Sequence, residues 1–251
     1  MKVVAIIPAR YASTRFEGKP LAQLGGVTVI ERVYRRVSSV VDDVVVATDD
    51  KRIVEAVESF SGRVVMTSKD HKSGTDRCWE AYEKFGVEAD IVINVQGDEP
   101  FIDPSQITSL IGCFDSEEVD IATLVKPFDP TDKVEALENP NSPKVVVDNS
   151  MRALYFSRSV IPYLRGVERA EWLTAHTFYK HIGMYAFRRS ALSEVTRLAQ
   201  SSLEIAESLE QLRWIENGYR IGVGVTNIET IGIDTPEDLE RAEAFLQNKK
   251  N

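Results

Sequence analysis

This chain of 251 residues has two cysteines, three histidines and no apolar run of 18 residues, and each shortage removes a class of protein. Cys78 and Cys113 stand far apart in no metal-ligand spacing, so neither a disulfide framework nor a zinc site is expected; both read as reduced thiols of a cytoplasmic protein. The missing apolar run excludes a membrane span of the helical kind. The N-terminus enters an apolar strand directly, without the basic stretch and long apolar core of a secretory leader, so none is expected. Basic residues are also in deficit, 30 Lys and Arg against 39 Asp and Glu, giving a net charge of −9. That balance argues against a nucleic-acid-binding face but leaves room for a nucleotide pocket lined by local cations. Internal repeats and low-complexity linkers are absent. The C-terminal Gln-Asn-Lys-Lys-Asn is expected to fray.

What remains is an ordinary soluble composition, 43% hydrophobic and 27% charged, long enough for a substantial core in one domain spanning residues 1–251. Apolar strands are expected at 2–8, 43–48, 63–67, 90–96 and 120–126. Amphipathic helices are expected between them at 28–40, 50–60, 74–85 and 104–114. Such alternation is the mark of βαβ units and a mainly parallel sheet. The second half differs. Segments 144–148 and 152–156 bracket a turn and read as a hairpin, and 157–180 reads as a flexible loop. A strand at 182–187, helices at 189–199 and 203–216, and a strand at 220–225 follow. Thr235-Pro236-Glu237-Asp238 supplies an N-cap, a proline in the first turn and early acids, so a closing helix starts there.

Candidate chemistry begins where the first strand, Val3 to Ile7, stops at Pro8. The loop beyond carries Arg10, Arg15 and Lys19, with Ser13, Thr14 and Gly18 between them. Exposed cations among small residues that let backbone N–H groups approach suit a polyanion such as a nucleoside triphosphate, although a solvated basic loop has the same look. Asp98 follows the apolar strand Ile91 to Val95, at a carboxyl end where ligands gather in α/β sheets, and could carry Mg²⁺. Its competing role as a helix cap is already filled by Asp103-Pro104. Asp234 either precedes the last helix cap or faces the same site. Ser73-Gly74-Thr75-Asp76-Arg77 opens a helix, and serves as an N-cap, as a base and ribose contact, or as both. His181 and Tyr185 alternate with Gly183 along one strand face, where core packing is the ordinary explanation. Glu207, Glu210 and Gln211 fall at i, i+3 and i+4, one polar helix face fit for sugar hydroxyls or for water. Arg158 has the planar fork that matches a carboxylate.

Seven segments in order carry a resemblance: Ile7-Pro-Ala-Arg-x-x-Ser-Thr-Arg-x-x-Gly-Lys-Pro-Leu21, His71 to Arg77, Asn94 to Pro100, Ala153 to Arg158, His181 to Tyr185, Glu207 to Arg213 and Gly232 to Asp238. Together they resemble the sugar-acid cytidylyltransferases over nearly the whole chain. The resemblance implies a three-layer α/β nucleotidyltransferase fold. Its mixed, mostly parallel central sheet has helices on both faces and a smaller β-rich excursion at about 144–187. It implies transfer of a cytidylyl group from CTP to a sugar acid for lipopolysaccharide biosynthesis. Catalytic roles fall to Arg10, Lys19, Asp98 and Asp234, the last two as Mg²⁺ ligands. Nucleotide contacts fall to Ala9, Arg10, Ser13, Arg15, Lys19, Ser73, Gly74 and Arg77. Sugar contacts fall to Gln96, Arg158, His181, Tyr185, Glu207, Glu210 and Gln211. A homodimer through the excursion is also implied. Two positions depart from the family pattern, Glu17 and Ser202, both where proline is usual. A nucleotide-sugar glycosyltransferase is the rival of another class, but the Asp-x-Asp that commonly holds its metal is absent from this sequence.

Overall fold

The apolar N-terminal run forms strand β1 (Val3–Ala9), whose Val4, Ala5, Ile6 and Ile7 are fully buried. In the computed structural model, which describes residues 1–12, 15–228 and 232–248, the chain forms two compact units. One comprises Met1–Thr108 with Thr230–Asn251, the other Ser109–Glu229.

In the first unit β1 is followed by a short hairpin, β2 (Gln23–Leu24) and β3 (Val27–Thr28). Then come α1 (Val29–Ser38), β4 (Asp43–Thr48), α2 (Lys51–Ser59), β5 (Val64–Met66), α3 (Gly74–Phe85) and β6 (Ile91–Asn94). Helix α4 (Pro104–Gly112) comes next. The strand order is β6-β1-β4-β5 and every pairing is parallel. Successive strands β1, β4 and β5 progress to one side, whereas β6 returns to the other side of β1. Right-handed crossovers therefore put α1 and α2 on one face and α3 on the opposite face. The reversal between β1 and β6 opens a crevice at their carboxyl ends, the place where such sheets bind ligands.

The strand β1 does not stop at Pro8, as expected, but runs to Ala9, pairing Pro8 with Ala47 and Ala9 with Thr48 of β4. Proline is tolerated because the ladder to β6 has already ended at Ile6 and Asn94, so one side of β1 is free of strand pairing there. The helix expected over 104–114 ends as α at Gly112 and finishes in a 3₁₀ turn.

The second unit contains β7 (Ile121–Pro127), α5 (Val134–Glu138), the hairpin β8 (Lys144–Val147) and β9 (Ala153–Ser157), α6 (Trp172–Ala175) and β10 (Tyr179–Arg188). It continues through α7 (Arg189–Val195), α8 (Ser202–Glu207), α9 (Gln211–Glu216) and β11 (Ile221–Val225). Its sheet is mixed: β7 lies parallel to β11 and antiparallel to β10, and β8 lies antiparallel to β10 and β9. The chain then returns to the first unit as α10 (Pro236–Asn248). No helix among the described residues is long and apolar enough to cross a membrane.

Two expectations for this unit are corrected. Segment 157–180 is not a flexible loop: Trp172, Leu173 and Phe178 are buried with Leu137, because its aromatic residues find one another. Nor is 203–216 one helix. It breaks at Ser208, which adopts the left-handed conformation (φ 51°, ψ 48°). At the break Arg158 Nε donates to the Glu207 carbonyl at 2.7 Å and its Nη2 to the Ser208 carbonyl at 3.3 Å. Those oxygens would accept the N–H groups of residues 211 and 212 in an unbroken helix. Ser202, one of the two departures from the family pattern, is the first residue of α8 after the Ser201 cap, a place where proline is favoured but not required.

Candidate functional site

A cavity of about 400 Å³ lies at the carboxyl ends of β1 and β6, lined by Pro8, Ala9, Arg10, Arg15, Lys19, Gly74, Arg77, Gln96, Gly97 and Asp98, among others. The sheet reversal puts it there. Two local features bring the chain ends close. Gly18 takes a left-handed conformation (φ 70°) to turn the basic loop into the short 3₁₀ turn that carries Lys19. Gly97 crosses directly over β1, where a Cβ would stand 2.6 Å from the Pro8 carbonyl oxygen, so only glycine fits.

Lys19 sits at the centre. Its Nζ lies 2.5 Å from Asp98 Oδ2 and 3.1 Å from Asp234 Oδ1. Arg15 Nη1 holds the other Asp234 oxygen at 3.1 Å. The Lys19 side chain is only 12% exposed, although the loop was expected to present its cations to solvent. Burial by itself would lower its pKa, but Asp98 and Asp234 outweigh that, and it is raised above the usual lysine value. Asp234 is delivered by its neighbours. Ile233 is fully buried with Leu24, Val29 and Ala242, and its N–H donates to the Asp98 carbonyl at 2.9 Å. The cap of α10 is Thr235, whose hydroxyl accepts the Asp238 N–H, while Asp238 accepts the N–H groups of Asp234 and Thr235. This leaves the Asp234 carboxylate facing Arg15 and Lys19 rather than capping the helix.

The remaining nucleotide candidates divide. Arg10 is exposed and donates through Nη2 to the His71 carbonyl. Ser73 caps α3 in a reciprocal capping box with Asp76, so its hydroxyl and N–H are engaged, while Gly74 beside it lines the cavity. Arg77 is fully buried and braces two loops, giving Nη1 to Thr67 Oγ1 at 2.5 Å and Nη2 to Asp49 at 2.8 Å. Ser13 lies outside the described residues. Gln96, expected on the sugar side, lines this same cavity.

The other six sugar-side candidates belong to the second unit. His181 and Tyr185 do share a face, with ring centroids 5.4 Å apart, and Tyr185 packs edge-on against Trp214 at 4.9 Å. A bulge in β10 between Ile182 and Tyr185 is stitched by Thr123, whose hydroxyl donates to the Met184 carbonyl at 2.9 Å. Thr123 Oγ1 also lies 3.0 Å from His181 Nε2, within hydrogen-bond distance. Desolvation pushes the His181 pKa down to about 3, so the ring is neutral, and pushes the Tyr185 phenol well up. Gln211 is buried, and its Nε2 has no protein partner among the described residues, as is usual for a group that meets a ligand or water.

Arg158 and Glu207 behave otherwise than their residue types suggested. Arg158 donates to the backbone carbonyls of Pro140, Glu207 and Ser208, and the Glu207 carboxylate accepts from Ser157 Oγ at 2.6 Å and the Arg158 N–H at 2.9 Å. This pair braces the end of β9 against the helix break, because buried carbonyls need donors. The helix break also separates Glu207 from Glu210 and Gln211, so the three no longer form the single face that their spacing suggested. Trp214, Thr123 and Gly97 were not singled out in the sequence. Only Gly97, inside Gln-Gly-Asp-Glu-Pro after a buried strand, carried a signal that could have been read.

The two aspartates suit a hard divalent cation. Both present carboxylate oxygens to one nitrogen, so they converge on a point, and Mg²⁺ prefers few carboxylates supplemented by ligand oxygens and water.

A cytidylyltransferase family model matches residues 4–221. A protein of Phocaeicola vulgatus named 3-deoxy-manno-octulosonate cytidylyltransferase is 64% identical over 250 residues, covering 100% of this chain and 99% of the relative. One of the same name from Bacteroides thetaiotaomicron is 61% identical, covering 99% and 100%. The solved structure of a CMP:2-keto-3-deoxy-manno-octonic acid synthetase complexed with CTP is 42% identical and superposes with a TM-score of 0.90, covering 99% of this chain and 100% of that one.

Proposed function

Since the chain belongs to the cytidylyltransferase family, we propose that it transfers the cytidylyl group of CTP to the anomeric hydroxyl of 3-deoxy-manno-octulosonate, releasing pyrophosphate. The observation that carries this reading is Lys19 held between Asp98 and Asp234 in a cavity also lined by Arg10, Arg15 and Arg77. An anion with three or four charges fits such cations, and a reacting phosphate fits carboxylates able to gather a divalent ion beside it.

In this mechanism the anomeric hydroxyl loses its proton to solvent and its oxygen forms a bond to the α-phosphorus as the bond to the β-phosphate bridging oxygen breaks, in line and opposite the attack. Arg10, Arg15 and Lys19 bind the triphosphate and stabilise the charge that gathers on the departing pyrophosphate. Asp98 and Asp234 are the residues that would hold Mg²⁺, which when bound supplies charge against the phosphate and lowers the pKa of the attacking hydroxyl. His181, Tyr185, Glu210 and Gln211 read the sugar acid, with the neutral His181 ring held in orientation by Thr123. No histidine is needed as general base.

We further assign the protein to the cytoplasm, to lipopolysaccharide synthesis, and to a homodimer formed through segment 144–187, where Leu154 and Tyr163 are exposed apolar residues. The deciding experiment measures pyrophosphate release from each of the four nucleoside triphosphates, crossed with 3-deoxy-manno-octulosonate, its 8-amino analogue and N-acetylneuraminate. Release is expected with CTP and the first acid. A preference for either other acid would move the substrate assignment, and release with none of the acids would remove it.

A further inference from the structure

The triphosphate loop is closed at its base by Tyr11, a residue with no role so far. The Gly18 N–H donates to the Tyr11 carbonyl at 2.9 Å, joining the two ends of segment 11–18. The tyrosine ring then packs on Gly18 itself, where an added Cβ would lie 3.1 Å from the ring. Over the ring stands Arg52, its guanidinium carbon 3.2 Å from the centroid. Arg52 is held in place in turn. Its Nε and Nη2 reach the two oxygens of Asp50 at 2.9 and 2.6 Å, and Asp50 caps α2 by accepting the Arg52 N–H at 2.9 Å. A planar guanidinium gripped by a carboxylate has little rotamer freedom left to lose when it stacks. Glu17, where the family pattern has proline, adds a favourable charge on Arg52.

The residues this closure governs are the ones that bind. Arg15 lies inside segment 11–18 and Lys19 follows it directly, while Arg10 immediately precedes Tyr11. Arg52 is 56% exposed and lies on a helix that lends the cavity no side chain, so core packing does not explain its geometry.

We propose that Arg52 is a positioning residue for triphosphate binding: stacked on Tyr11, it holds Tyr11 against Gly18 and so fixes the turn that aims Lys19 at the β- and γ-phosphates. This rests on the reading of that loop as the triphosphate site. An exposed cation–π contact is weak, so its loss should loosen the turn at Gly18 and Lys19 without unfolding the protein, and the effect should follow the number of phosphates on the ligand.

The test is calorimetric binding of CTP and of CMP to the full chain, as wild type and as the variants Arg52→Met, Arg52→Lys, Tyr11→Leu and Arg52→Met/Tyr11→Leu, with steady-state kinetics alongside. Arg52→Met should weaken CTP about two- to five-fold and leave CMP unchanged, the size expected for an exposed cation–π pair. The KM for CTP should rise while kcat holds. Arg52→Lys should recover part of the loss, and the double variant should bind CTP no more weakly than Tyr11→Leu alone. CTP binding equal to wild type in Arg52→Met overturns the inference. So does equal weakening of CTP and CMP, or simple addition of the two single effects. If wild type bound CTP no better than CMP, the triphosphate reading itself would fall, and this inference with it.

Discussion

Replacing Lys19 by methionine tests the arrangement most directly, because the structure predicts opposite effects on stability and on metal binding. The ammonium lies 2.5 Å from one aspartate oxygen and 3.1 Å from another. Those oxygens are therefore no more than about 6 Å apart, and an effective dielectric of about 20 gives a repulsion of about 3 kcal/mol once the ammonium is gone. Asp98 and Asp234 are 31% and 47% exposed, and Arg15 still neutralises Asp234, so screening reduces this to about 1–2 kcal/mol. Without metal, Lys19→Met should melt roughly 2–8 °C below wild type. Adding Mg²⁺ should raise its melting temperature more than that of wild type, where the ion must displace a resident ammonium from the same carboxylates. Turnover should nonetheless fall by about 10²–10³-fold, the scale of losing one donor aimed at developing charge. Differential scanning fluorimetry with and without Mg²⁺, beside a pyrophosphate assay, measures all three. A variant that melts with wild type and gains the same increment from Mg²⁺ would show that Lys19 and the metal do not share those carboxylates.

Asp98→Asn and Asp234→Asn should each cut activity at least about 10²-fold while remaining folded, and EDTA should abolish wild-type activity until Mg²⁺ is restored; full turnover in EDTA would remove the metal from the account. Gly97→Ala forces a Cβ to 2.6 Å from the Pro8 carbonyl, so the strand ends must part. We expect a loss of about 1–3 kcal/mol in chemical denaturation and lower activity through displaced Asp98, and a variant with wild-type values on both would contradict the close approach. His181 gives a pH signature. Its folded pKa of about 3 lies below the unfolded value of about 6.5, so the unfolded state takes up the proton first. That contribution to stability is complete above the unfolded pKa and is lost as pH falls from about 6.5 toward 3, by up to about 1.4 kcal/mol per unit. His181→Asn should flatten the slope of stability between pH 6.5 and 5, and an unchanged slope would mean that the ring is not desolvated.

The sequence alone determined the parts whose physics is local. A run such as Val3 to Ile7 is too apolar to sit anywhere but in a buried strand, and Ser73 with Asp76, or Thr235 with Asp238, closes a capping box within four residues of chain. Hence the expected helix at 74–85 is α3 residue for residue, and the βαβ rhythm gave a parallel sheet in the first unit. The ordered motifs also pointed to Lys19, Asp98 and Asp234, three side chains that the structure brings together. Their mutual arrangement was another matter. Lys19 and Asp234 meet across most of the chain's length because Ile233 packs under Leu24 and bonds to the Asp98 carbonyl, and no spacing rule encodes that. Arg158 shows the converse. Its type suggested a carboxylate clamp, yet it donates to backbone carbonyls, two of them at the helix break that separates Glu207 from Glu210 and Gln211. Residue type and local pattern state what a side chain can do. Which partner it meets is decided by long-range packing, since burial makes an unpaired polar group costly and the first donor or acceptor within reach claims it.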